Sequence, residues 1–225
     1  MANNNEETRT TIDNLNDQLT GIEQKVQNNQ KIIAWICIAV AAVVCIVLLY
    51  IYAIHKPGAE AAQNAIGQAD MTLSEGNDSL ALVQYKQVAA DYGHEGGNRA
   101  KLNAAILLYK QGQWQEAINY LNDYKASESL IGASSQALKG DCYVNLKNYE
   151  EALDCYEKAV KISDENPAYT PYFLMKEATV YRELKDYKKE AATYQEIVDE
   201  YPDYGPSINV DMQKYLDRAK AEAGE

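Results

Sequence analysis

Residues able to do chemistry are scarce: 2 His and 4 Cys occur in 225 residues. His55 borders a long apolar run, and His94 stands in the turn-like stretch Tyr-Gly-His-Glu-Gly-Gly with no recognisable ligand or catalytic partner, so it reads as a loop residue. Cys37 and Cys45 fall inside the apolar run and read as small apolar residues. Cys142 and Cys155 fall on two successive predicted helices. An oxidising compartment would let them pair, but a disulfide needs Cβ atoms about 4 Å apart and register alone does not bring them there, so buried free thiols are the preferred reading. The acidic pairs Glu150-Glu151 and Asp164-Glu165 resemble catalytic carboxylates only in type. They lie at or near predicted helix ends, where Asp and Glu favour the first turn, and read as a solvated acidic surface. No glycine-rich phosphate loop, nucleophile elbow or paired-His metal motif is present. The expectation is a protein with no enzymatic activity, cofactor or metal. A net charge of −12 argues against nucleic acid, whose backbone needs clustered Lys and Arg.

The apolar residues are concentrated rather than spread. Residues 32–54 read IIAWICIAVAAVVCIVLLYIYAI, without a charge. At about 1.5 Å per residue such a helix crosses a bilayer core of about 30 Å. Trp35, Tyr50 and Tyr52 lie near its ends, as suits the headgroup zone. The run is too long, and too far behind a polar segment, for a signal peptide, whose apolar core spans about 7–15 residues. Residues 32–54 are therefore expected to form a single transmembrane helix. Lys25 and Lys31 precede it against Lys56 after it, a small excess that places residues 1–31 in the cytoplasm and the remainder across the membrane. Within that tail Ile12, Leu15, Leu19, Ile22 and Val26 recur at spacings of three and four, continued in phase by Asn29 and Ile33. Two readings stay open for this seam: a short coiled coil pairing two chains into a homodimer, or an amphipathic helix on the membrane surface.

Pro57-Gly58 marks a break, with 55–58 as linker and 59–225 as a repeat domain. Gly140, Tyr143, Ala152, Tyr156 and Ala159 alternate small and large across two helices. Ala105, Leu108, Ala117, Leu121 and Tyr124 precede them at the same offsets, and Ala178, Tyr181, Glu190, Tyr194 and Ile197 follow. A weaker first copy runs through Ala69, Thr72, Ala81, Tyr85 and Val88. Between Ala81, Ala117, Ala152 and Glu190 the intervals are 36, 35 and 38 residues. That is just above the tetratricopeptide period of about 34. Small residues let the two helices of a pair approach; large ones fill the space to the next pair, so the pairs must stack. Thr170-Pro171 reads as a helix cap followed by proline, and Ser207 to Ala223 as a capping helix. The fold expected is all-α: one N-terminal transmembrane helix, then a tetratricopeptide-repeat solenoid of about four helix pairs and a C-terminal capping helix.

The repeats resemble the tetratricopeptide superfamily. The layout as a whole, Asn29-Gln30-Lys31 running straight into the apolar segment and the repeats beyond, is similar to the bacterial ancillary SecYEG translocon subunit family. The stretch Tyr169-Thr-Pro-Tyr-Phe-Leu-Met-Lys176 also resembles membrane-anchored repeat proteins. The resemblance implies a bacterial inner-membrane protein with a periplasmic repeat domain and translocon or periplasmic chaperone partners. Lys101, Glu190 and Asp78 depart from residues usual at their positions.

In such arrays the first helix of each pair lines a concave face, so its outward positions are the expected partner-binding residues. These are Leu102, Ile106 and Tyr109 in the second repeat, Tyr172 and Met175 in the fourth, and Asp70 and Asp141 at the Ile106 offset in the first and third. The expected groove mixes apolar and tyrosine anchors with carboxylates, suited to extended polypeptide. Self-associating scaffold and non-catalytic subunit of a membrane complex are the competing functions.

Overall fold

The computed structural model describes residues 29–93 and 95–225. The seam from Ile12 to Val26, and His94, lie outside these residues. Contacts within the chain group into two units, Met1–Pro57 and Gly58–Glu225.

In the first unit, helix α1 spans Gln30–Tyr50 and is followed by one π-helical turn, Ile51–His55. No residue of α1 is buried, and with an 18-residue stretch of mean hydropathy 3.2 the helix is long and apolar enough to cross a membrane. Helix α2, Lys56–Ser74, holds Pro57 and Gly58 in its first turn. Residues 55–58 are thus helical rather than an open linker. Proline has no amide to bond the carbonyl one turn back, and the wider π-turn just before it falls where that bond is missing.

The repeat unit continues with α3 (Asp78–Asp91), α4 (Glu95–Lys110), α5 (Trp114–Asp123), α6 (Ser129–Asn145), α7 (Tyr149–Ser163), α8 (Thr170–Glu183) and α9 (Tyr187–Glu200). A single turn, α10 (Tyr204–Ser207), and α11 (Met212–Ala223) complete it. The pairs are α2–α3, α4–α5, α6–α7 and α8–α9. Each pair turns through a left-handed residue: Gly76 (φ 82°), Gly112 (φ 75°), Lys147 (φ 60°) and Lys185 (φ 59°). At each turn the amide of that residue donates to a carbonyl three residues back, and the next amide to one five back, as Lys147 to Val144 at 2.9 Å and Asn148 to Tyr143 at 2.9 Å. This geometry closes a helix end by satisfying its orphan carbonyls. The four turns are separated by 36, 35 and 38 residues, the intervals read from the small-residue pattern. All four pairs, including the weak first one, therefore share one register.

Small residues are buried where helices meet. Ala69, Ala81, Ala105, Ala117, Ala152, Ala159 and Ala178 are fully buried. Tyr85, Tyr156 and Tyr194 fill the gaps between pairs. Two boundaries differ from expectation. Tyr169 is the cap of α8, with Thr170 already helical; the Thr170 hydroxyl is buried against the Ser163 hydroxyl at 2.7 Å. The capping helix starts at Met212 rather than Ser207, because the Asp211 carboxylate accepts from the Lys214 amide at 3.2 Å and sets the start there.

Candidate protein-binding groove

The first helices of the pairs are α2, α4, α6 and α8, and one position on each carries Asp70, Ile106, Asp141 and Thr179. Fifteen residues further on, the second helices place Tyr85, Leu121, Tyr156 and Tyr194. The polar and apolar choices match. The Tyr85 hydroxyl donates to Asp70 at 2.6 Å, and the Tyr156 hydroxyl donates to Asp141 at 2.5 Å. A cation from the next first helix completes each set. Arg99 pairs with Asp70, joined by Asn103 at 3.4 Å; Lys176 donates to both oxygens of Asp141 at 2.7 and 3.0 Å. Burial, and then the adjoining carboxylate, push both phenols far above their usual range, so the tyrosines act as permanent donors. Burial alone would lower the Lys176 amine, but Asp141 and Tyr172 hold it raised and charged. In the second repeat Ile106 and Leu121 replace the polar pair. In the fourth, the Thr179 hydroxyl turns back to the Met175 carbonyl at 2.9 Å.

These contacts sort the expected groove residues. Asp70 and Asp141 are spent on bracing one pair against the next. Leu102 and Tyr109 are half-buried and pack on the core of the first two pairs, and Met175 packs on the C-terminal core. Ile106 (36% exposed) and Tyr172 (44% exposed) face solvent. Asp141 and Tyr172 come together in a cleft of about 510 Å³ between α6, α8 and the α10 segment. Tyr169, Phe173, Lys176, Tyr204 and Ile208 also line it. The Tyr172 ring meets the Phe173 ring edge-on, 5.5 Å between centroids, and the Lys176 amine lies 5.1 Å from the Tyr172 ring centre. Asp70, Leu102, Ile106 and Tyr109 are not part of this cleft. Sequence reasoning missed Lys176, Tyr169, Tyr204 and Ile208 as lining residues. The first two stand in the run 169–176; Tyr204 carries no signal in the sequence, and Ile208 falls within the expected capping helix from Ser207 to Ala223.

Other reactive groups are locked in the interior. Cys142 and Cys155 are free and buried. Burial pushes the Cys142 thiol up to about 12, which leaves little of the thiolate that reactivity requires. Glu190, the departure from a small residue, is fully buried; Arg182 donates to it at 2.7 Å and Arg218 of α11 lies 3.5 Å away. Among the described residues no group of three His, Cys, Asp or Glu is arranged to hold a metal ion.

Comparison with known proteins agrees with this architecture. One tetratricopeptide-repeat model matches residues 133–166, and a second matches 99–127 and 172–204. Each match falls on one helix pair, α6–α7, α4–α5 and α8–α9 respectively. The chain carries tetratricopeptide repeats. No curated protein matches it by sequence. Among solved structures, the crystal structure of MamA protein superposes with a TM-score of 0.59 at 16% identity, covering 73% of this chain and 84% of that one. Nearly identical TPR-like repeats of a kinesin light chain from Podosopora anserina give 0.55 at 18%, covering 72% and 86%. The APC/C hetero-tetramer Cut9–Hcn1 gives 0.52 at 19%, covering 69% of this chain and 29% of that one. Likeness at these identities is likeness of fold.

Proposed function

We propose that this chain is a membrane-tethered protein-interaction module. Helix α1 anchors it in the bacterial inner membrane, the tail lies in the cytoplasm, and the repeats stand in the periplasm, where they engage translocon, chaperone or exported client proteins. The observation that carries the binding role is the cleft between α6, α8 and α10. It offers exposed aromatic and apolar side chains beside an Asp141–Lys176 pair that is already neutralised internally. A partner segment there buries apolar area without stranding a charge, which suits extended polypeptide. The arrangement in a hetero-tetramer such as Cut9–Hcn1 is consistent with repeats of this kind working within assemblies. Ile106, exposed on α4 at the helical position that Asp141 takes on α6, is a further contact outside the cleft.

Photo-crosslinking from position 172 in intact cells tests this reading. Products with translocon subunits, chaperones or exported proteins are expected. Self-crosslinks alone would favour the scaffold reading, with pairing of two chains through the Ile12–Val26 seam. A single membrane-enzyme partner would make the chain a non-catalytic subunit instead.

A further inference from the structure

Charge and hydrogen bonding restrict what can enter the cleft between α6, α8 and α10. Among the described residues that line it, only Asp141 and Lys176 carry charge. They bond to each other at 2.7 and 3.0 Å, and the Tyr156 hydroxyl adds a bond to Asp141 at 2.5 Å. Both side chains are mostly buried. A basic ligand would have to displace Lys176 to reach the carboxylate, and an acidic one would have to displace Asp141. Either exchange strands a charge that is now paired. The cleft therefore fits an uncharged segment.

The walls are helical and offer no strand edge on which an extended chain could add hydrogen bonds. The amides at the rim are already used. Those of Ala168 and Tyr169 donate to the Asn166 side chain at 3.0 and 3.2 Å. That of Ile208 donates to the Tyr204 and Gly205 carbonyls at 3.3 and 3.2 Å. An ordinary peptide buried here would leave its own N–H groups without acceptors, which is costly. Proline has no N–H to strand, and a polyproline II backbone makes no internal hydrogen bonds and keeps its carbonyls in water. What the cleft offers such a segment is ring surface. Tyr169 and Tyr172, three residues apart at the start of α8, are 39% and 44% exposed, and Ile208, which caps α10, is 41% exposed. Phe173 braces the Tyr172 ring edge-on, so the ring is held before a ligand arrives. With the groove as the partner site, on which this class of ligand rests, we propose that its ligand is a proline-rich segment in the polyproline II conformation. Its pyrrolidine rings stack on Tyr169 and Tyr172 beside Ile208. Because the segment is ordered before it binds, it loses little conformational entropy on docking.

The test uses the full-length protein in phosphatidylcholine nanodiscs and two fluorescent peptides blocked at both ends. One is an oligoproline of about ten residues, long enough for three polyproline II turns. The other has every second proline replaced by valine, which keeps the apolar bulk and restores N–H groups. The oligoproline should bind saturably, and the valine peptide at least roughly tenfold more weakly. Tyr169→Ala and Tyr172→Ala should each weaken oligoproline binding by roughly tenfold with the melting temperature unchanged. Tyr172→Phe should keep most of the binding, because the ring is the contact. Raising the salt from about 0.05 to 0.5 M should leave the affinity as it was, since no net charge is engaged. Equal binding of the two peptides, lost in Tyr172→Ala, would overturn the proline class and leave the groove reading in place. Oligoproline binding that survives both alanine variants, or that salt abolishes, would overturn it too. If neither peptide binds, the proline class falls. The groove reading then stands if crosslinking in cells still captures partners, and falls with it if none is captured.

Discussion

Asp70 and Asp141 show how far a residue can be read before its neighbours are known. Their place on the first-helix face follows from helical periodicity, and that face suggested exposed carboxylates awaiting a basic ligand. Their ligands are internal: Tyr85 with Arg99, and Tyr156 with Lys176, from helices 15 to 35 residues away. No local pattern carries that information, because it depends on how one pair stacks on the next. Replacing Tyr156 by Phe removes a hydrogen bond to a charged acceptor while keeping the ring in place. It should cost about 1.5–3 kcal/mol, read as a lower denaturation midpoint. Glu177 sets the pH response. Burial, reinforced by Glu157 and Glu196 and opposed by the Tyr181 hydrogen bond and Lys189, pushes its carboxyl up from 4.5 to about 7. The folded chain therefore holds a proton that the unfolded chain has released across that window, and stability falls as pH rises through it. Glu177→Gln should flatten the melting temperature between pH 4.5 and about 7, and raise it at neutral pH. An unchanged profile would assign the dependence to another group.

At the scale of the element, the alternation of small and large residues was the informative part of the sequence, since close helix contact demands it. Gly140 illustrates the demand: an added Cβ would fall 2.6 Å from the Tyr156 ring. Gly140→Ala, though favourable to helix propensity, should destabilise by about 1–3 kcal/mol through overpacking, measurable by chemical denaturation. The turns predict the opposite sign. Lys147 and Lys185 occupy the left-handed position that Gly76 and Gly112 fill in the first two pairs. Lys147→Gly should stabilise by about 1 kcal/mol, because a side chain there strains the backbone. Helix ends were harder to read. Thr170 reads as a cap because of its type, yet its hydroxyl is drawn inward to Ser163; the Asp211 cap lies inside the stretch expected to be helical from Ser207. Glu190 looked like a flaw in the last repeat. It is the point where Arg218 of α11 meets the fourth pair, a contact visible only once the cap is docked.

For the whole molecule, composition separates a first unit with one uncharged apolar run from a repeat unit carrying 28 acidic and 17 basic residues, but does not show which surface remains open. The openness of the α6–α8 cleft depends on where the α10 segment comes to rest, a matter of tertiary packing. The proposed topology predicts an active alkaline phosphatase fused after Glu225 and a dark cytosolic fluorescent reporter at the same point; the reverse pattern would put the repeats in the cytoplasm. The central claim is that partners bind the groove formed by the first helices of the pairs. Its most direct measurement is partner crosslinking by the full-length protein carrying Ile106→Arg and Tyr172→Ala, made together with thermal unfolding. The account predicts that crosslinks are lost while the melting temperature stays within a degree or so, since exposed substitutions shift stability by only about 0.5 kcal/mol. Crosslinks that persist at full yield in the folded double variant would contradict it.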